Sequence, residues 1–188
     1  MASDKPATVG TIAAQPTTGT VVLDSASYVN YPFFHLKFTL DAALMTVTDA
    51  AGSGSSGSLK LFDFNPFAFA ILGCRQDYTA FAEGSALTTA AGDAAFVMGL
   101  GTVAANAGDG VLTSTEVDIG IVTSTITLSS GTGTGTQVNG PITGGVNGTA
   151  TASDIYLNWS GTAATIDATS TIAVTGTIEI VGVILGDD

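Results

Sequence analysis

His35 is the one histidine of the chain, so a Ser-His-Asp device would have to use it. It sits at a polar position of an alternating stretch beside Lys37, and no G-x-S-x-G elbow occurs anywhere in the sequence. A histidine-based metal centre needs more than this one residue. Gly99, Gly101 and Ala104 spell G-x-G-x-x-A, which cradles a pyrophosphate only when a helix follows. Asn106, Gly108 and Gly110 break any such helix within a few residues. Glu116 and Asp118 share one parity and Glu179 lies on another alternating stretch, so paired carboxylates could do glycosidase work. Charged pairs on the polar side of a strand are more commonly solvated. Asp109 between two glycines lacks the acidic spacing of a calcium loop. Cys74 is alone, which rules out an internal disulfide or a cysteine zinc site and suits a small buried apolar residue. Asn147-Gly-Thr and Asn158-Trp-Ser fit the glycosylation pattern, as chance allows in so Thr-rich a chain. Trp159 alternates with apolar residues and reads as core; Tyr156, on the other parity, is the possible surface aromatic that could stack on a sugar. The residues thus predict no enzyme, no cofactor and no metal.

The composition says what positions these residues. The chain has 188 residues, enough for one domain with a sizeable core. Hydrophobic residues are 45%, yet charged residues are 11%, against about 25% in an average soluble protein. Thr, Ser and 24 Gly supply the remaining polarity. Thr and Val favour strands, and Gly and Ser fill turns. Four Lys plus Arg against 16 Asp plus Glu leave a net charge of −12. Phosphate contacts need a basic patch, so nucleic acid is excluded as a partner, and anionic membrane surfaces are disfavoured. A partner with exposed basic groups is favoured; acidity also keeps a low-charge, apolar chain soluble. Asp4, Lys5 and Pro6, with no apolar run after them, give no secretory signal, and no stretch is long and apolar enough for a membrane helix.

The most organised stretch is the last one, Asp154 to Asp188. Ile155, Leu157 and Trp159 alternate with Tyr156, Asn158 and Ser160. Ile172, Val174, Ile178, Ile180 and Ile184 share a second face, opposite Thr171, Thr175, Thr177 and Glu179. Beyond Glu179 that opposite face turns apolar as Val181, Val183 and Leu185, so it must be covered by the domain or by a partner. Gly176 and Gly182 fall where inward side chains are expected and mark bends or bulges. Upstream, Phe34, Leu36, Phe38 and Leu40 form a strand that Ala42–Thr48 either extends or follows with a short turn of helix. Ala51–Ser58 reads as a flexible loop. Leu59–Leu72 is strand broken at Pro66, and residues 73–92 read as small and polar with Phe81 as a loop anchor. Ala94–Val103 is a strand, and Thr115–Leu128 alternates with a change of parity near Gly120–Val122. Residues 129–150 are a Gly/Thr tract, either a long loop or glycine-rich edge structure. With no helical period of about 10 residues, the prediction is all-β: a β-sandwich or jelly-roll-like domain over 21–188. Residues 1–20 read as an extended N-terminal arm anchored through Val9 and Ile12.

"DIYLN", a short Ala/Thr/Asp-rich loop and "TIAVTGTIEIVGVILGDD" resemble the C-terminal end of small virion proteins of tailed bacteriophages. The likeness is to the capsid decoration, or cement, proteins encoded near the major capsid protein. It covers Asp154–Asp188, and the rest of the chain matches in style alone, being acidic, Gly/Thr/Ala-rich and poor in Lys and Cys. It implies a β-sandwich or jelly roll, as a homotrimer, that clamps neighbouring major capsid protein subunits from outside the virion after synthesis in the host cytoplasm. No individual functional residue carries over from the resemblance. From the residues themselves, Val9, Ile12, Val181, Val183 and Leu185 are the expected capsid or subunit contacts. Two rivals are a phage fibre or receptor-binding module that holds a host glycan through Tyr156, and a jelly-roll glycan hydrolase using Glu116, Asp118 or Glu179.

Overall fold

A computed structural model of the protein describes residues 10–12, 20–23, 28–30, 32–49, 54–83, 94–105, 111–121, 126–128, 132–133, 138–139, 145–147, 153–161 and 170–186. They form an all-β fold whose strand pairs are all antiparallel. No helix among the described residues is long and apolar enough to cross a membrane.

Three long strands make the first layer. They are β4 (Phe33–Asp49), β6 (Ala68–Glu83) and β14 (Ser170–Gly186). β14 lies between the other two and is hydrogen-bonded to both along most of its length. A strand of Ile, Val and Thr with no proline suits that central place. The second layer is β5 (Ser55–Phe64), β13 (Asp154–Gly161) and β7 (Ala94–Gly101), with β13 in the middle. The layers share one hinge: β4 and β5 pair only where Val47–Asp49 meets Ser55–Gly57. Beyond it they part, and aromatic rings fill the space. Phe38 packs on Phe62 with ring centres 5.9 Å apart, and Phe34 on Phe64 at 5.6 Å, both edge-on.

Short strands complete both layers. β2 (Thr20–Leu23) and β3 (Tyr28–Asn30) line β4, and β1 (Gly10–Ile12) lines β5. β8 (Gly120–Ile121) and β9 (Ile126–Leu128) line β7. β10 (Thr132–Gly133), β11 (Val138–Asn139) and β12 (Gly145–Asn147) all line β6. The last three keep nearly one register: Thr132 pairs with Ala82, Val138 with Gln76 and Val146 with Phe69, a slip of one residue over the whole run. The described pieces of the Gly/Thr tract are therefore edge structure along β6. Their far side meets the other layer, β10 against β9 and β11 against β8, while β1 meets β2 at the opposite margin. The sheet curls until parts of its margins come close to one another.

Where a strand changes the face it buries, the ladder slips. β4 buries Phe34, Leu36, Phe38 and Leu40, then Ala43, Met45 and Val47; Asp41 and Ala42 together oppose Thr175, and Ala42 has φ 47°. β6 buries Phe69 and Ile71, then Cys74, Gln76 and Tyr78, with Leu72 bulged out. Both expected glycines lie at slips, between Thr175 and Gly176 and between Val181 and Gly182. The edge of the Phe34 ring lies where a side chain at residue 182 would project.

Several expectations need correction. Ser55–Ser58 is strand, with Ser55, Ser56 and Gly57 buried at the hinge and not in a flexible loop. Residues 73–83 continue β6; buried Gln76 had disguised the alternation. Ser114–Glu116 is a 3-10 turn, so Glu116 and Asp118 do not share a strand face. The N-terminal segment is a separate matter: most of it, Val9 included, lies outside the described residues, while Gly10–Ile12 and Thr20 are strand-paired, Ile12 opposite Phe62.

Candidate functional site

The outer face of the first layer gathers most of the described surface residues that carry contact chemistry. Odd-numbered residues of β14, and of β4 ahead of its bulge at Asp41–Ala42, point outward, because the even ones fill the core. The register sets Lys37, Glu179 and Arg75 side by side across three strands. Glu179 Oε1 lies 3.6 Å from Lys37 Nζ, and its Oε2 lies 3.6 Å from His35 Nε2. Arg75 also reaches Asp77, at 3.7 Å. His35 thus lies in a row with Glu179 and Lys37.

Toward the end of β14 this face turns apolar. Phe33 pairs with Val183, and Val181 lies between His35 and Gly73. Phe33 is 51% exposed, Val181 40%, Leu185 57% and the bulged Leu72 38%, with Val183 half-buried among them. Gly73 adds a notch: a side chain built there would meet nothing within 4 Å. Three of the five residues expected to make contacts, Val181, Val183 and Leu185, therefore stand together on this face. Sequence reasoning missed Phe33, Leu72 and Gly73. The odd parity of Phe33 was a usable signal, but its adjacency to Val183 depends on which strands pair.

The second layer carries a different cluster. Tyr156 is half-buried and donates its hydroxyl to Asp154 Oδ2 at 3.0 Å. Lys60 Nζ sits between Asp63, with which it is in close contact, and Asp154 at 3.1 Å. Hydrogen bonding to Asp63 and Asp154 raises the Lys60 pKa above its usual value. Burial works to raise that of Asp63, and the bond from Lys60, together with the interaction with Asp154, outweighs it, so the net shift is downward. Burial and the bond to Asp154 push the Tyr156 phenol up.

The carboxylates that the hydrolase alternative would use are kept apart. Glu179 is on the outer face of the first layer, whereas Glu116 and Asp118 belong to a segment laid against β7 in the second. There Glu116 caps its own turn through the Thr113 amide at 2.8 Å. Asp118 accepts from the Thr102 amide at 2.9 Å and hydroxyl at 2.8 Å, and burial raises its pKa. Gly99 and Gly101 lie inside β7, where the chain passes close beneath the 115–120 segment, and no helix follows through Ala105. Trp159 and Cys74 are buried in the core. Among the described residues no group of three or more His, Cys, Asp or Glu could hold a metal ion.

The chain matches no protein-family model, and no curated protein matches it.

Proposed function

We propose that this protein is a structural component of a phage virion, a homotrimer that binds the outside of the capsid and clamps adjacent major capsid protein subunits. The observation that carries this reading is the apolar end of the β14 layer, where Phe33, Leu72, Val181 and Leu185 are exposed, Phe33 and Val181 on paired positions and Leu72 and Leu185 at irregularities of the β6–β14 ladder. A contiguous apolar patch on a rigid, strongly acidic body is a mark of protein–protein contact. The strand order 6-14-4 in one layer and 5-13-7 in the other supports a jelly-roll-like double Greek key. The contact set is Val181, Val183 and Leu185, joined on sequence grounds by Val9 and Ile12. Acidic surface away from the patch favours a basic partner surface and excludes nucleic acid. Made in the bacterial cytoplasm, the protein acts on the finished or expanding head and performs no chemistry.

Co-sedimentation with empty heads that lack the protein tests this. Saturable binding that raises the temperature at which heads open supports the reading. Protein that stays in the supernatant at every ratio sinks it.

A further inference from the structure

We propose that the outer face of the β4–β14–β6 layer docks onto a second copy of this chain, centred on Phe33, Val181 and Leu185. The inference deepens the virion reading and rests on it for what the assembled protein then does.

Charge selects the occupant. The chain carries −12, so two copies repel over most of their surfaces. Around Glu179 the balance differs: Lys37 and Arg75 stand against Glu179 and Asp77, with His35 beside them. Of the described Lys and Arg residues, Lys60 alone lies elsewhere, and there it faces both Asp63 and Asp154. A basic partner would find its attraction on the acidic remainder of the molecule. The balanced face suits a partner as acidic as the chain itself, meeting it where neither repels.

Shape agrees. One surface presents both an exposed apolar side chain, Phe33, and an open notch at Gly73, two strands away with β14 between them. Contact between copies can seat Phe33 of one against the notch of the other. Size then sets the extent. Strands spaced about 4.8 Å apart, rising about 3.3 Å per residue, give the apolar end a footprint on the order of 150 Å². A stable interface buries roughly 800 Å² per partner, so contact must continue along β14 over the Lys37–Glu179–Arg75 row.

The test is the solution mass of the full chain by light scattering across a dilution series, for the wild type, Gly73→Glu and Leu185→Asp. The wild type should have a multiple of 18.6 kDa. Each variant should dissociate roughly 100-fold more readily, with an unchanged far-ultraviolet spectrum, since Gly73→Glu enters open space. Lys37→Glu, which unbalances the row, should also weaken association. A wild type that remains a monomer at every concentration overturns the proposal, as do variants that associate like the wild type. Head binding separates the two readings. A multimer that ignores heads keeps this interface and ends the capsid reading. A monomer that binds heads through Leu185 overturns the interface and assigns the patch to the capsid.

Discussion

The backbone N–H of Ala42 donates to Thr175 Oγ1 at 3.1 Å, at the step where β4 changes the face it buries. Ala42 holds φ 47°, a left-handed conformation that costs a residue with a Cβ about 1 kcal/mol. The Thr175 hydroxyl occupies an N–H that the slipped ladder cannot pair. Thr175→Val should therefore lower stability by about 1 kcal/mol or less, as the bond is exposed. Ala42→Gly should match the wild type or exceed it, because relief of the left-handed strain offsets glycine's greater freedom when unfolded. Urea midpoints read both, and a large loss in Ala42→Gly would remove this account of the bulge.

Three glycines of the first layer should rank by what surrounds them. At Gly176 an added Cβ would overlap the Asp77 carbonyl oxygen, which is ladder backbone and has nowhere to go. At Gly182 it would overlap the edge of the Phe34 ring, a core side chain with limited room. At Gly73 it would meet nothing within 4 Å. Replacement by Ala should thus cost about 3 kcal/mol or more at Gly176, about 1–3 kcal/mol at Gly182 and within about 0.5 kcal/mol at Gly73. Thermal unfolding of the three variants gives the order, and equal losses at Gly73 and Gly176 would contradict it.

These glycines also show what a sequence can reveal. Gly176 and Gly182 interrupt a strict alternation, so local pattern alone marks them as bulge sites. The same period places Phe34 to Leu40, Ile155 to Trp159 and Ile172 to Ile180 in the core, because a half-buried strand repeats every second residue. The pattern fails where burial and polarity part company. Gln76 is buried, and Tyr78 donates its hydroxyl to it at 2.7 Å, so the second half of β6 reads as a polar loop. Asn158 is buried on the parity expected to face solvent, because the 102–119 connection covers it. Register is not local either. The described pieces of the Gly/Thr tract become edge structure only because β6 offers them a long partner. Val181, Val183 and Leu185 were legible as an apolar face, whereas Phe33, Leu72 and Gly73 join them only once β14 lies between β4 and β6.

Asp118 and Lys60 should shape the pH dependence of stability in opposite ranges. Burial holds the Asp118 pKa above its ordinary 3.8, so the folded chain takes up this proton more readily than the unfolded chain. Its contribution is greatest below 3.8 and is lost as pH rises through the elevated value. The stability of the wild type relative to Asp118→Asn should therefore fall across that interval and be flat above it. Asp63, with its pKa lowered, acts the other way: its contribution is present above 3.8 and is lost as pH falls through the folded value. Lys60 has its pKa raised above 10.5, so its contribution is present below 10.5 and disappears as pH climbs through the folded value. Lys60→Met should flatten the alkaline limb. Guanidinium titrations at a series of pH values measure each difference, and a wild type that gains on Asp118→Asn with rising pH would reverse the assignment.

Asn158 is the clamp of the second layer, and its substitution should be the most damaging polar change in the protein. Its Nδ2 donates to the Val103 carbonyl at 2.8 Å and to the Glu116 carbonyl at 2.7 Å. Its Oδ1 accepts from Ser58 Oγ at 2.7 Å and from the Ala105 amide at 3.0 Å. One buried side chain thus fills all four of its bonding positions and ties β5, the end of β7 and the 3-10 turn to β13. Asn158→Ala strands two carbonyls, each a loss of about 1–3 kcal/mol where water cannot replace the donor. The expected total is about 3 kcal/mol. Asn158→Asp should be worse near neutral pH, because a carboxylate oxygen would face both carbonyls. It should recover partly in acid, where a protonated carboxyl can donate to one of them. Amide exchange at Val103 and Ala105 should quicken in both variants before exchange in β14 does, since the clamp holds the connection and not the central strand. If Asn158→Ala loses less than about 1 kcal/mol and exchange at Ala105 stays slow, the connection is held by its apolar contacts at Leu112 and Ile119 and the clamp is incidental.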